Sequence, residues 1–416
     1  MNQEHFLRYS NGIRAILHPS AGEVCCCGFA IKAGTRDELP HEQGIAHFTE
    51  HMLFKGTKHR KAWQILDRMG AVGGEINAYT TKEEIFLYAV CLKKDYERAL
   101  ELMCDMLFHS TFPQHEIESE RAVVLDEINV YEDSPSELIY DDFERLIYPD
   151  QSFGYNILGD VDCLKTLTSS HFHTFMQRCF TTDRIVYFSM SSMEEKKETR
   201  LLDKYLKDVP DTSSASVLSQ REQVKMAQSL RTQIDRQTHQ AHVLYGNAAF
   251  HLFSEQRLPM FFLNNILGGP GMNSLLNNAL REKRGLVYTV ESTVNAYSDS
   301  GLFSIYFGCD HKDVKRCLTL VDKELKKLRE TPLSEARLRA AKKQIQGQLA
   351  IASENKESQA LSMGKSLLYF DHFESVENAL AKIEALTAKQ LQEVAKEVFN
   401  PETMSLLVYG ENYENI

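Results

Sequence analysis

No stretch of this chain approaches the ~20 consecutive apolar residues that a membrane-spanning helix requires, so no helical membrane anchor is expected. The opening residues Met1-Asn2-Gln3-Glu4-His5 contain neither a basic segment followed by an apolar one nor an Arg-rich, acid-poor transit sequence. No targeting segment is expected there, and the default reading is a cytoplasmic protein. Basic residues are in deficit: 47 Lys and Arg stand against 58 Asp and Glu, a formal net charge of -11. That balance argues against a nucleic-acid partner, while leaving basic peptides free to approach. Cys-x-x-Cys pairs are missing as well, and the nine cysteines are an odd number. Cys25, Cys26 and Cys27 lie together in an apolar stretch, where alternate side chains of a strand face opposite ways. They are read as small buried hydrophobes in a reducing compartment, their spacing being unlike that of zinc-thiolate sites.

The chain does contain material for more than one core. At 416 residues, with 43% hydrophobic and 25% charged residues, it should fold as two or more globular domains. Self-comparison shows how they are organised. Residues 77–107 align without gaps on residues 295–325 at an offset of 218, placing Asn77-Ala78-Tyr79 on Asn295-Ala296-Tyr297, Tyr88 on Tyr306 and Cys91 on Cys309. The register continues at an offset of 219, where Pro113 meets Pro332, Leu167-Thr168 meets Leu386-Thr387, and Phe180 meets Phe399. Two homologous domains are therefore expected, at 1–210 and 220–416, joined by a polar, turn-rich linker at 211–219.

Within the first copy, Phe6–Tyr9 and Ile13–Leu17 flank Ser10-Asn11-Gly12, an Asn-Gly hairpin signal. Strands are expected over Val24–Ala33, Ile85–Leu92 and Arg184–Met190, and helices over Glu42–Leu53, Asp95–Phe108 and Gln114–Tyr131. Strands interspersed with helices behind a hairpin favour an α+β fold with a mostly antiparallel sheet in each domain.

The chemistry concentrates in His47-Phe48-Thr49-Glu50-His51. Residues four apart on a helix project from one face, so His47 and His51 can reach one Zn²⁺ at ~2.0–2.1 Å. Glu50 lies close enough to act on a water at the metal, and His-x-x-Glu-His is the inverzincin order. The competing reading is two surface histidines on a polar helix, in a chain with 15 His. A catalytic zinc needs a third protein ligand and an open position, which directs attention to the helix Gln114–Tyr131. Its stripe Ile117, Glu120, Val124, Glu127, Ile128 and Tyr131 carries two carboxylates on an otherwise apolar face. Buried carboxylates are costly unless paired or metal-bound. The matching positions in the second copy are Arg339 and Gln346, and His47 and His51 have no histidine counterparts there. A polar set present in only one copy points to function, since the fold itself does without it.

Residues 44–57, Gly-Ile-Ala-His-Phe-Thr-Glu-His-Met-Leu-Phe-Lys-Gly-Thr, and residues 120–128, Glu-Arg-Ala-Val-Val-Leu-Asp-Glu-Ile, resemble the active-site helix and third-ligand segment of the pitrilysin-type zinc metallopeptidases. That family includes insulin-degrading enzyme and the mitochondrial processing peptidase subunits. The resemblance covers nearly the whole chain, because the family unit is also two similar α+β halves. It implies a zinc endopeptidase in which His47, His51 and Glu127 bind Zn²⁺, Glu50 is the general base and Glu120 supports the site from behind. It further implies that residues 73–80, Asn77 and Ala78 among them, form an edge strand onto which an extended peptide adds. The segment 280–288 resembles the family's Arg-x6-Tyr element, so Arg281 and Tyr288 would contact substrate backbone and the developing oxyanion. Gly268-Gly269-Pro270-Gly271 lacks the Gly-Lys-Ser/Thr of a phosphate loop.

One chain carries both the zinc set and the Arg/Tyr set, which some relatives divide between subunits. A homodimer enclosing a chamber is therefore the expected assembly, acting on extended peptides. The alternative from another class is a non-catalytic scaffold or assembly subunit of the same family, although neither the base nor any ligand is missing here. His171 and His173 are read as structural, and His59, His115 and the remaining histidines show no partner pattern.

Overall fold

A computed structural model describes residues 4–213 and 224–410. In chain order the elements are β1 (His5–Arg8), β2 (Arg14–Pro19), β3 (Val24–Ile31), α1 (Ile45–Leu53), α2 (Ala62–Gly70), β4 (Glu75–Thr80), β5 (Ile85–Leu92), α3 (Tyr96–His109), α4 (Gln114–Glu132), α5 (Pro135–Ile147), α6 (Val161–Thr166), α7 (Ser169–Cys179), β6 (Ile185–Ser191) and α8 (Glu195–Leu206). The later part holds β7 (Arg231–Ile234), β8 (Ala241–Ala248), α9 (Arg257–Gly268), β9 (Val287–Ala296), β10 (Gly301–Cys309), α10 (Val314–Glu330), α11 (Glu335–Ala352), α12 (Lys356–Phe370), α13 (Val376–Ala385), α14 (Ala388–Val398) and β11 (Ser405–Tyr409).

The duplication is visible in the strand order. One sheet runs β1-β2-β6-β3-β5-β4 and the other β7-β11-β8-β10-β9. Removing the first strand of the hairpin makes the two orders equivalent position by position. Each sheet has one parallel pair, β2 with β6 and β7 with β11, and is otherwise antiparallel. The fold is α+β as expected. Alternation along β3 also holds: Cys25 and Cys27 lie in one core cluster and Cys26 in the cluster on the other face of the sheet. All three are free and buried.

Two compact units are interleaved in sequence. The first comprises Met1–Ile128, Tyr155–Glu222 and Ala352–Glu374, and the second comprises Asn129–Gly154, Gln223–Ile351 and Ser375–Ile416. Each sheet therefore has one face covered by a helix from the other half of the sequence. In the first unit, Ala360, Met363, Leu367 and Leu368 of α12 pack on Ile16, Cys26, Ala30, Phe86, Val186 and Phe188. A Cβ at Gly364 would sit 2.5 Å from the Phe188 ring, so only glycine permits this approach. In the second unit, Leu138, Ile139, Phe143 and Ile147 of α5 pack on Leu244, Leu302, Tyr306 and Leu407. The linker expected at 211–219 falls, from residue 214 onward, outside the described residues.

The opposite face of the first sheet carries the larger core, which includes Phe29, Leu87, Phe48, Met52, Leu100, Met103, Ile117, Val124 and Phe172. It fixes α1, α3 and α4 against the sheet. α1 lies beside β4, at the sheet edge.

Candidate active site

The helix α1 begins at Ile45, three residues later than the sequence pattern suggested, because Gly44 takes a left-handed conformation with φ 94°. A side chain there would be strained, and its Cβ would lie 2.7 Å from Gly159 Cα. The first amides of the helix are held by a buried carboxylate. Glu38 accepts hydrogen bonds from the backbone N–H of Gly44 at 3.0 Å and of Ala46 at 2.9 Å. A helix start leaves these donors without intrahelical partners, and the Glu38 oxygens supply the acceptors. Ile45, Ala46, Phe48, Thr49, Met52 and Leu53 are buried. With one side of α1 locked into the core, His47, Glu50 and His51 are presented together from another.

His47 and His51 have ring centroids 4.6 Å apart. Glu127, on the adjacent α4, brings Oε2 to 3.7 Å from His47 Nε2 and 3.6 Å from His51 Nε2. An ion bonded at ~2.0–2.1 Å to tetrahedral ligands separates them by about 3.3 Å, so this spacing fits Zn²⁺ closely. His51 Nδ1 meets Glu120 Oε1 at 3.0 Å; with the proton on Nδ1, the Nε2 lone pair faces the centre. Glu120 is itself buried and its other oxygen is bonded by Lys55. An imidazole backed by a carboxylate in this way is the usual support for a metal-binding histidine. Burial, with the nearby His51 adding to it, pushes the His47 imidazole down to about 3. It is therefore neutral near pH 7, the form that ligates. His47 Nδ1 is buried without a hydrogen-bond partner, so the ring is free to carry its proton there and turn the Nε2 lone pair toward His51 and Glu127, three donors that one cation can satisfy.

The sequence pattern placed both acids of α4 on a buried stripe, and the structure separates them. Glu120 is buried, whereas the Glu127 side chain is 45% exposed. Glu127 thus borders open space, so a metal held by these three residues would keep room for an exchangeable fourth ligand.

Glu50 sits behind this centre. Its Oε2 accepts a hydrogen bond from Thr80 Oγ1 at 2.6 Å. Burial raises the Glu50 carboxyl above the ordinary carboxylate range, while Thr80 and His51 pull it back and Glu127 adds to the rise. Thr80 ends β4, the edge strand that carries Asn77 and Ala78, and these pair with Tyr88 and Leu87 of β5. The far side of β4 has no strand partner among the described residues, which leaves a free strand edge. Thr80 was not singled out from the sequence as a functional side chain, nor was Lys55. Alternation gives a signal for the first, since Ala78 and Thr80 share one side of the strand.

Arg281 and Tyr288 belong to the second unit. Arg281 lies in a short π-helical turn, Asn277–Glu282, with its guanidinium carbon 5.4 Å from the Tyr288 ring centroid. Tyr288 is 82% exposed at the start of β9. The two residues form a pair. His171 is structural as expected, its Nδ1 accepting from the Thr168 backbone N–H at 3.0 Å. For His59 the expectation of no partner is corrected: it meets Asp105 and His109. The pattern was missed because His59 lies on a loop remote in sequence from the helix that carries the other two.

Residues 14–161 match the family model described as Insulinase (Peptidase family M16), and residues 166–345 match that described as Peptidase M16 inactive domain. An uncharacterised zinc protease of Streptomyces coelicolor is 34% identical over 377 residues, which are 89% of this chain and 82% of that protein. Another, from Bacillus subtilis, is 30% identical over 400 residues, 96% of each chain. In fold, the chain superimposes on the crystal structure of a protease from Helicobacter pylori with a TM-score of 0.90 at 19% identity, over 99% of this chain and 100% of the other. A peptidase M16 inactive domain from Pseudomonas fluorescens gives 0.89 at 17% identity, over 100% and 99%.

Proposed function

The chain belongs to the M16 peptidase family, and on that premise we propose that it is a zinc-dependent endopeptidase cutting peptides or unfolded polypeptide segments. The observation that carries this reading is the convergence of His47 Nε2, His51 Nε2 and Glu127 Oε2, with Glu50 close enough for its charge to feel both His51 and Glu127. His47, His51 and Glu127 would hold a zinc ion, which would supply Lewis acidity toward the water and the scissile carbonyl. Glu50 takes the proton of the attacking water on its carboxylate and delivers it to the leaving amine nitrogen. Thr80 holds that carboxylate in place. Glu120 fixes the His51 ring through Nδ1.

Substrate would bind in an extended conformation along the free edge of β4, past Asn77 and Ala78. Main-chain pairing of that kind carries little sequence preference. Arg281 and Tyr288 would serve substrate backbone and the oxyanion of the tetrahedral intermediate. A homodimer forming a closed chamber, with the Arg281/Tyr288 pair of one copy serving the zinc centre of a second, completes the reading, as does a cytoplasmic location. The scaffold alternative has one supporting point: the family description of the second half is an inactive domain. That half lacks counterparts of the zinc ligands, which leaves the complete set in the first half untouched.

Purified chain should hold zinc at the His47 centre and cleave an unstructured peptide in a chelator-sensitive manner. Chain that takes up no zinc there and shows no cleavage on metal addition would establish the scaffold instead.

A further inference from the structure

The helix α3 carries Asp105 and His109 four residues apart, the same spacing that sets His47 and His51 on one face of α1. The turn 56–61 folds back on itself through a Gly56–Lys61 bridge and is pinned to the end of α3 by a Thr57–Ser110 bridge. Thr57 Oγ1 accepts from the backbone N–H of His59 and Arg60 at 3.1 and 2.9 Å, and donates to Asp105 Oδ2 at 2.8 Å. A short, internally bonded turn thus delivers His59 to the helix. Its Nδ1 lies 2.6 Å from Asp105 Oδ1, and His109 Nδ1 lies 3.5 Å from the same oxygen. The two rings are 4.9 Å apart.

The charges around Asp105 are unevenly used. Arg60 bonds Oδ2 at 2.5 Å, but it also grips both oxygens of Glu101 at 2.7 and 2.8 Å. Its charge is divided between two acids, and Oδ1 is left to the imidazoles alone. Asp105 is buried, and His109 Nδ1 is a buried nitrogen with no hydrogen-bond partner. All three residues line a cavity of about 610 Å³ that also meets Phe108, Phe180 and Tyr205.

We propose that His59, Asp105 and His109 form a second divalent-metal site, separate from the His47–His51–Glu127 centre. Two imidazoles and one carboxylate oxygen suit borderline ions such as Zn²⁺, Co²⁺ or Ni²⁺. Ligands of such an ion stand about 3.3 Å apart. His109 already meets that spacing, and His59 needs to withdraw by about 0.7 Å for bonds of that length. Its side chain is 59% exposed and free to do so. Because all three residues line the cavity, a water or a small anion from it would complete the coordination sphere.

The test is metal stoichiometry on the full chain after chelator stripping, with Co²⁺ titrated and read by visible absorption and calorimetry. Two equivalents should bind the unaltered chain. One should bind His59→Ala, one His47→Ala/His51→Ala, and none the combined variant. In the His47→Ala/His51→Ala background, adding Zn²⁺ should raise Tm, and His59→Ala should abolish that rise. His109→Gln serves as a second variant, expected to weaken this site at least about tenfold. A single equivalent in the unaltered chain, lost on changing His47 and His51, would overturn the site. So would two equivalents retained by both His59→Ala and His109→Gln.

Discussion

His51 Nδ1 lies 3.0 Å from Glu120 Oε1, and that contact aims the other ring nitrogen at His47 and Glu127. In the proposed mechanism Glu120 acts through the ring it holds, as a positioning residue. Replacing it by Ala should weaken zinc binding by about 10–100-fold. Competition with a chromogenic chelator reads the affinity directly, and Glu120→Asp should recover part of it. Unchanged affinity in Glu120→Ala would remove the residue from the site.

Thr80 gives a sharper test of how the base is tuned. Its hydrogen bond to Glu50 favours the charged carboxylate, opposing the rise that burial causes. Thr80→Val removes that bond, so the Glu50 pKa should rise and the acid limb of kcat/KM should move to higher pH. Zinc content should stay the same, and Thr80→Ser should restore the original limb. A shift toward lower pH would contradict the assignment of Glu50 as the group titrating on that limb.

The Glu38 carboxylate holds α1 at its first turn and is fully enclosed. Glu38→Ala leaves two buried N–H groups without acceptors, at a cost of about 1–3 kcal/mol each, read as a fall in denaturation midpoint. Burial is the main cause that raises its folded-state pKa well above the ordinary value, against the pull of the two backbone hydrogen bonds. A raised folded pKa means the protonated form is favoured on folding. The stability linked to that proton is full below the ordinary carboxylate range and is lost as pH rises through the folded pKa. The unaltered chain should therefore lose stability relative to Glu38→Gln as pH increases. A widening advantage of the unaltered chain with pH would show the carboxylate to be favoured in its charged form.

Arg281 and Tyr288 touch each other and little of the core, Tyr288 being 82% exposed. Arg281→Ala and Tyr288→Phe should leave zinc content and Tm unchanged. Each should lower kcat/KM for a peptide by about 10²–10³-fold if it serves the oxyanion. Full activity in both variants would take this pair out of the mechanism.

How much of this was legible beforehand depends on how far apart in sequence the interacting groups lie. His47 and His51 were readable because helix geometry places residues four apart on one face, and Glu50, three after His47, falls beside them. Glu127 was readable as a carboxylate on an apolar stripe, backed by its absence from the second copy. Its exposure was not, since the pattern of α4 cannot tell a buried edge from one that borders a metal. Strand alternation placed Cys25, Cys26 and Cys27 correctly, and the repeat foretold two equivalent sheets.

Tertiary relationships stayed hidden. Thr80 meets Glu50 only because β4 runs beside α1, and Lys55 finds Glu120 only across two helices. The crossing of α5 and α12 into the unit formed mainly by the other half was equally invisible, as an amphipathic helix does not state which sheet it covers. His59 shows the same limit: its partners Asp105 and His109 form a helical pair, but nothing local brings the 56–61 turn to them.

The most direct test of the central claim is Glu50→Gln, assayed at once for zinc content and for cleavage of an unstructured peptide. Zinc should remain bound to His47, His51 and Glu127 while turnover falls by at least about 10²-fold, the scale of a lost general base. Zinc retained with turnover unimpaired would contradict the account, because proton transfer would then not pass through Glu50.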